Sequence, residues 1–171
     1  MRKELPFVRL RAMEPGDVDL LYKVENDMTL WKDSNTNSYY SKFFIRDFIE
    51  RSTGDIYADK QVRLIAMNAD NIPVAVVDIQ DFSPSNLRAE VGLVVLEEFR
   101  GRGYGAACVQ QLTDYARGIL HLHQLYVYIN KDNTDSICLF RSMGFQTCGI
   151  LHDWLFDGSA YHAVELLQVF L

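Results

Sequence analysis

The sequence predicts one α+β domain, a mixed and mostly antiparallel central sheet of about seven strands flanked by about four helices. Three observations carry that expectation. The chain has 171 residues, near the usual size of one domain, and 49% of them are hydrophobic, enough for a continuous core. Its middle is a succession of short β-branched and apolar runs parted by turn-forming clusters. Its last part alternates strand patterns with helix patterns and closes on a hairpin. No internal repeat, low-complexity tract or linker divides it.

Residues 8–13 read as a short strand, and Glu14-Pro15-Gly16-Asp17 then opens the acidic first turn of a helix running toward Asn26. Leu20, Leu21 and Val24 form its apolar stripe. A second helix is expected over 41–51, where Phe44, Ile45, Phe48 and Ile49 recur at three- and four-residue spacing, and the aromatics among them are expected in the core. Between the two helices, 28–40 reads as a polar loop, with Trp31 and the pair Tyr39 and Tyr40, able to cover a site. Strands follow over 63–67, 74–81 and 88–96, separated by Ala69-Asp70-Asn71 and Ser83-Pro84-Ser85-Asn86, and short turns of that kind join antiparallel neighbours. A helix over 103–117, a strand over 125–129, a helix over 133–143 closed by Gly144, and a hairpin turning at Asp157-Gly158 complete the order.

Composition narrows the function classes. A net charge of −6 and a pI near 5.1 argue against a nucleic-acid binder, which needs a basic face to displace counterions. Cys108, Cys138 and Cys148 are an odd set without C-x-x-C spacing; they read as reduced, mostly buried thiols with neither a disulfide framework nor a zinc site. His121-x-His123 lacks a third ligand and reads as surface, so no metal is expected. The N-terminus lacks the apolar core of a signal peptide and no apolar run approaches roughly 18 residues, so a cytoplasmic protein with no membrane partner is expected.

The most informative stretch is 91–109, an apolar strand that enters Arg100-Gly101-Arg102-Gly103-Tyr104-Gly105 and then the helix-forming Ala106-Ala107-Cys108-Val109. Glycines let the backbone approach a ligand closely, and the first N–H groups of a helix point outward without intrahelical partners. That combination binds anions, and two arginines add charge suited to phosphate oxygens. Gly101-x-Gly103-x-x-Ala106 also satisfies a loose dinucleotide-binding fingerprint. The turn falls late in the chain, however, and too little sequence remains after it for a doubly wound sheet.

Arg100-x-x-Gly103-x-Gly105 resembles the acetyl-CoA pyrophosphate motif of the GNAT N-acetyltransferases. A second segment, Asn133-x-x-Ser136-Ile137-x-Leu139-Phe140-x-x-x-Gly144-Phe145, is similar to that family's other cofactor segment, in the right order and separation. The resemblance extends over nearly the whole chain, which it implies is one N-acetyltransferase domain over 1–171, and in layout it is closest to bacterial spermidine/diamine and ribosomal-protein acetyltransferases. It implies a splay between the strands at 88–96 and 125–129, with acetyl-CoA as acetyl donor. The pantetheine arm would pair with backbone at Leu93, Val94 and Val95, and the pyrophosphate would meet the amides from Gly101 through Ala106, including Tyr104. Asn133 is the implied side-chain contact to the arm and also reads as a helix N-cap. Ser136 and Phe140 fall on the same cofactor segment. A homo-oligomer is a further implication, and the apolar strand 164–171 reads as an edge needing cover.

The chemistry needs a neutral amine, a polarised thioester carbonyl and a protonated leaving thiol. Glu90 is the candidate base and an acceptor contact, since it sits on the same strand just before the cofactor contacts, where the family commonly carries an acid; the plain alternative is an ordinary strand carboxylate paired with Arg88. A backbone N–H of Val94 or Val95 would polarise the carbonyl. The family's tyrosine, its thiol acid, falls at Phe140, which has no proton to give. Ser136, Tyr104, Tyr128 and Tyr161 are the other hydroxyls to consider. On the acceptor side, 14–59 carries ten acidic residues against five basic ones, a charge suited to a polycation such as spermidine. Trp31, Asp33, Tyr39 and Tyr40 are candidate acceptor contacts. Protein N-termini and aminoglycosides also remain as acceptors, and an acyl-CoA-binding module without catalysis is the alternative that Phe140 suggests.

Overall fold

Each strand of the sheet is apolar on the faces it buries and each longer helix is amphipathic, and the chain order follows from joining them by short turns. The computed structural model describes residues 4–31, 33 and 38–171. Its elements are β1 (Arg9–Ala12), α1 (Val18–Glu25), α2 (Met28–Trp31), α3 (Lys42–Arg51), α4 (Ile56–Asp59), β2 (Val62–Met67), β3 (Pro73–Ser83), β4 (Arg88–Val95), α5 (Tyr104–Gly118), β5 (Gln124–Asn130), α6 (Thr134–Ser142), β6 (Gln146–Phe156) and β7 (Tyr161–Phe170). The seven strands form one sheet in the order β1-β2-β3-β4-β5-β7-β6. Every neighbouring pair is antiparallel except β4 and β5, which run parallel.

Residue alternation divides the core between the two faces. Leu64, Ala66, Val77, Ile79, Ala89, Val91, Leu125, Val127 and Leu167 meet α5 and α6 through Cys108, Leu112, Ile137 and Phe140. On the other face Ile65, Met67 and Val76 meet α1 and α3 through Leu21, Val24, Ile45 and Ile49. Here α1 and α3 cover β2 and β3. Within β4 and β5 that same face carries Glu90, Gly92, Tyr126 and Tyr128, half-buried positions between the buried ones.

Two ion-pair groups fix the helical side. Asp17, only 6% exposed, accepts both guanidinium nitrogens of Arg11 at 2.7 and 2.8 Å and the N–H of Glu14 at 2.8 Å. These bonds hold its carboxyl below the usual carboxylate range. Arg63 on β2 reaches Asp78 on β3 at 2.7 and 3.0 Å and also pairs with Glu25 at the end of α1. Burial works against the Arg63 charge, but the two carboxylates raise its pKa above the ordinary value.

The structure corrects the sequence reading at several points. Among the described residues six α-helices stand where about four were expected, because short turns form at α2 and α4. Asp27 accepts the Thr29 N–H at 2.9 Å and Asp55 accepts the Tyr57 N–H at 2.9 Å, local caps that nucleate one turn each. The loop expected over 28–40 therefore begins as α2, while residues 32 and 34–37 lie outside the described residues. Phe44 is 52% exposed and stacks on Tyr40, since the helix buries the line through Ile45 and Ile49 and leaves its flank in solvent. Strand β7 is not an edge: it lies between β5 and β6, so β6 is the outer strand. Only Cys108 is buried, and Cys138 and Cys148 are exposed.

Because Arg63 neutralises two carboxylates at the join of α1 with the sheet, Arg63→Met leaves both in place without their cation. Its expected cost is about 3 kcal/mol of unfolding free energy, read from the denaturant midpoint at neutral pH.

Candidate active site

Strands β4 and β5 share only three parallel pairs, Arg88 with Gln124, Ala89 with Leu125 and Glu90 with Tyr126. Past Glu90 each strand stays with its outer neighbour. On one side β4 remains paired with β3 as far as Val95, and the Leu96 N–H still bonds to the Val74 carbonyl at 2.9 Å. On the other, β5 remains paired with β7 as far as Asn130, and the Lys131 N–H bonds to the Ala163 carbonyl at 2.9 Å. The two strands therefore diverge, and the edge of β4 over 91–95 faces β5 without a ladder. The side chains of Leu93 and Val95 pack in the core on the α5 face, and Val94 packs on the opposite face. The β3 ladder, in phase with the Leu96–Val74 bond, takes the backbone of Val94, so Leu93 and Val95 are the positions whose backbone turns toward the wedge.

The glycine turn sits at the open end of this wedge. Gly101 and Gly103 have φ of 71° and 87°, left-handed values that strain any residue with a Cβ. Gly103 is the N-cap of α5, and the first intrahelical bond runs from the Ala107 N–H to the Gly103 carbonyl at 3.1 Å. Helix geometry then directs the N–H groups of Tyr104, Gly105 and Ala106 out of the helix end. Gly105 has a different origin: a Cβ there would lie 2.9 Å from the Leu139 Cδ2, so its absence lets α5 and α6 close together. Arg102 is exposed, whereas Arg100 folds back and donates from Nε to the Val95 carbonyl at 3.0 Å. Tyr104 packs edge-on against Phe99.

Glu90 lies at the root of the wedge, with Gln80 as its Cα partner on β3 and Tyr126 on β5. Burial raises its pKa and the nearby Asp81 charge adds to that, while a hydrogen bond with Gln80 opposes both. Among the described residues its partner is Gln80, and it makes no ion pair with Arg88. Beside it the Tyr126 hydroxyl donates a hydrogen bond to the Asp81 carboxylate, and Tyr126, Tyr128 and Trp154 form a run of ring contacts with centroids 5.7 and 6.2 Å apart. Sequence reasoning passed over Tyr126 and Asp81. The Tyr126-x-Tyr128 alternation signals a shared face, but only the strand order brings β3 within reach of β5.

On the cofactor-like segment, Asn133 caps α6, its side chain accepting the Ser136 N–H at 3.2 Å. Phe140 is 4% exposed and packs edge-to-face on Phe145, so its ring belongs to the core. Of the hydroxyls considered as proton donors, Tyr128 lies on the strand that borders the wedge, whereas Tyr161 is at the hairpin end beside Phe156. The acceptor candidates divide. Trp31 and Tyr39 meet ring to ring at 5.0 Å, Tyr40 turns toward Phe44, and Asp33 lines a cavity of about 330 Å³ with Asn130, Asp132, Asn133, Thr134, Asp135, Asp157 and His162.

The sequence profile of the acetyltransferase (GNAT) domain matches residues 8–146. The spermidine N(1)-acetyltransferase of Escherichia coli K12 is 23% identical over 164 residues, covering 93% of this chain and 84% of that protein. An uncharacterized N-acetyltransferase, p20, of Bacillus licheniformis is 28% identical over 148 residues, covering 85% and 82%. In structure, the Vibrio cholerae spermidine N-acetyltransferase, crystallised in complex with CoA and spermine, superposes with a TM-score of 0.87 over 95% of both chains at 21% identity, which establishes the fold.

One ionisable tie holds the rim of the cavity. Both ring nitrogens of His162 face carboxylates, Nδ1 at 2.9 Å from Asp132 and Nε2 at 2.7 Å from Asp157, and the bond to Asp157 followed by that to Asp132 raises the histidine pKa. The tie joins the turn between β6 and β7 to the residue before Asn133. Its stabilisation is complete below the ordinary histidine pKa and is lost as pH rises through the raised value. As pH rises above the ordinary histidine range, the wild-type melting temperature is expected to fall more steeply than that of His162→Asn, with the His162 titration followed by NMR.

Proposed function

The chain belongs to the acetyltransferase (GNAT) family, and from that premise we propose that it transfers the acetyl group of acetyl-CoA to the primary amine of a polyamine such as spermidine. The reading rests on one observation above the rest: the wedge between β4 and β5 begins directly after Glu90 and ends at the glycine turn. The acidic excess over 14–59 supports a polycationic acceptor, as does the likeness to spermidine acetyltransferases.

The residues present fit the donor. The unladdered edge of β4 offers N–H and C=O groups to an amide-bearing arm, as a strand edge accepts a peptide. Left-handed glycines and the outward N–H groups at the start of α5, with Arg102 beside them, suit a pyrophosphate. When bound, acetyl-CoA supplies an activated acetyl carbon as a thioester. The chain's own parts then divide the work. The backbone N–H of Val95, which faces away from the β3 ladder that holds Val94, takes the developing charge on the carbonyl oxygen. The Glu90 carboxylate accepts, directly or through a water, the proton that the attacking nitrogen sheds as the C–N bond forms and the C–S bond breaks. Phe140 has no proton for the departing sulfur, which leaves the Tyr128 hydroxyl or solvent to provide it.

That departure favours one rival, an acyl-CoA-binding module that has lost turnover. Release of CoA thiol in the presence of spermidine, peptides and aminoglycosides separates the two. Turnover with the polyamine is expected, with kcat/KM falling about 100-fold or more in Glu90→Gln. In Phe140→Tyr, kcat is expected to rise about 10-fold if the restored hydroxyl reaches the sulfur. Absence of turnover with every acceptor, together with a melting temperature raised by acetyl-CoA, gives the binding module instead.

A further inference from the structure

We propose that Tyr126 and Asp81 are positioning residues for Glu90: their hydrogen bond straps β3 to β5 across β4 at the root of the wedge and holds a negative charge beside the base. The proposal rests on the reading of Glu90 as that base. Strand β4 lies between β3 and β5, so a hydrogen bond from Tyr126 to Asp81 must pass over it. Tyr126 is the Cα partner of Glu90, and their side chains share a face. The phenol therefore crosses β4 beside the Glu90 side chain and closes the sheet at the last residue pair before the strands part.

Asp81 reaches this place through a defect in β3. Strict alternation from Val77 and Ile79 would send residue 81 into the core on the α5 face. The pairing of β3 with β4 instead shifts register between Gln80 and Ser83, and Asp81 takes a left-handed φ of 49°. The bulge gives the core position to Phe82, which is buried, and turns Asp81 to the face of Glu90. Left-handed backbone at a non-glycine residue persists where the surroundings hold it, and here the Tyr126 hydroxyl does so. That hydroxyl stays protonated and able to donate, since burial and the Asp81 carboxylate both raise its pKa.

The groups around Glu90 separate by role. From β3 come Asp78, already paired with Arg63, the neutral Gln80, and Asp81; from β4, Arg88; from β5, Tyr126 and Tyr128. Of these charges, that of Asp81 is the one that raises the Glu90 pKa, adding to burial. A base that keeps its proton to higher pH is a stronger proton acceptor once ionised, so the strap brings Glu90 nearer to its working range.

Two substitutions separate charge from strap, and carboxyl ¹³C NMR of the chain without ligands reads the Glu90 titration directly, assigned by its loss in Glu90→Gln. Asp81→Asn removes the charge yet keeps an oxygen to accept the Tyr126 hydroxyl. Its Glu90 midpoint is expected to move to lower pH by about 0.5 or more, and the acid limb of kcat/KM with spermidine to move with it. Tyr126→Phe keeps the charge but frees it, so a smaller shift in the same direction is expected, with kcat lowered several-fold. An unchanged Glu90 midpoint in Asp81→Asn, at a wild-type melting temperature, overturns the proposal. That variant is near-isosteric at an exposed bulge, so it decides the matter even where Tyr126→Phe fails to fold. Normal turnover in Glu90→Gln removes Glu90 as base, whereas the NMR midpoints still test the strap by themselves.

Discussion

The rest of the structure depends on the rule that a backbone edge can be satisfied by only one neighbour. Strand β4 follows β3 and β5 follows β7, each through its outer edge, while the edges they turn toward each other share three residue pairs and are then left without a neighbour. An open ladder in the middle of a sheet is costly unless something completes it, since buried N–H and C=O groups need partners. The turn that follows β4 has its own requirement. It must bring the chain out of the wedge and into α5, and the left-handed Gly101 and Gly103 do so while leaving the first helical amides exposed. One edge and one helix end thus supply two sets of backbone donors, built before any side chain is considered.

The side chains around that row are divided by face. The side under α5 and α6 is largely apolar, and its buried carboxylate, Glu165, is matched by Arg141 and Thr147. The side under α1 and α3 carries the charges that matter for chemistry, and Gly92 sets their spacing. A Cβ at Gly92 would lie 3.3 Å from the Asp78 Cβ and 3.4 Å from its Oδ2, so the missing side chain makes room for the carboxylate that Arg63 holds. The Arg63 group anchors α1 on the sheet and, by satisfying Asp78, keeps that carboxylate engaged two positions along β3 from the partner of Glu90. Structural and chemical carboxylates stand close together and differ in whether a cation faces them.

Much of this was legible in the sequence. The strands at 63–67, 74–81 and 88–96, the glycine turn and the Asn133 cap carry local signals that no tertiary contact reversed, and the splay followed from the resemblance of two motifs. What was not legible depends on neighbours distant in sequence. Phe44 and Ile45 are equally apolar, and only the position of the sheet decides which is buried. The hairpin after α6 could place either strand at the edge, and the choice of β7 as the inner one is set by its ladder to β5. Asp81 gave no signal because a bulge reverses the side that alternation assigns it. The acceptor candidates divided for the same reason: Trp31, Asp33, Tyr39 and Tyr40 are close in sequence, but Trp31 and Tyr39 meet each other, Tyr40 meets Phe44 and Asp33 lines the cavity.

The distribution of the cysteines has a consequence for how the chain meets electrophiles. Cys108 is enclosed by the core, where desolvation pushes its thiol up to about 12, so it stays protonated and inert. Cys138 and Cys148 face solvent, one on α6 and the other on β6. A disulfide reagent added to count liberated CoA will therefore first be consumed by these two protein thiols. Cys138 lies on the same helix as Ser136 and Phe140, so alkylation there places a bulky adduct on α6 and can lower activity without touching any group that moves a proton. Serine at both positions gives a chain whose thiol signal comes from the reaction alone.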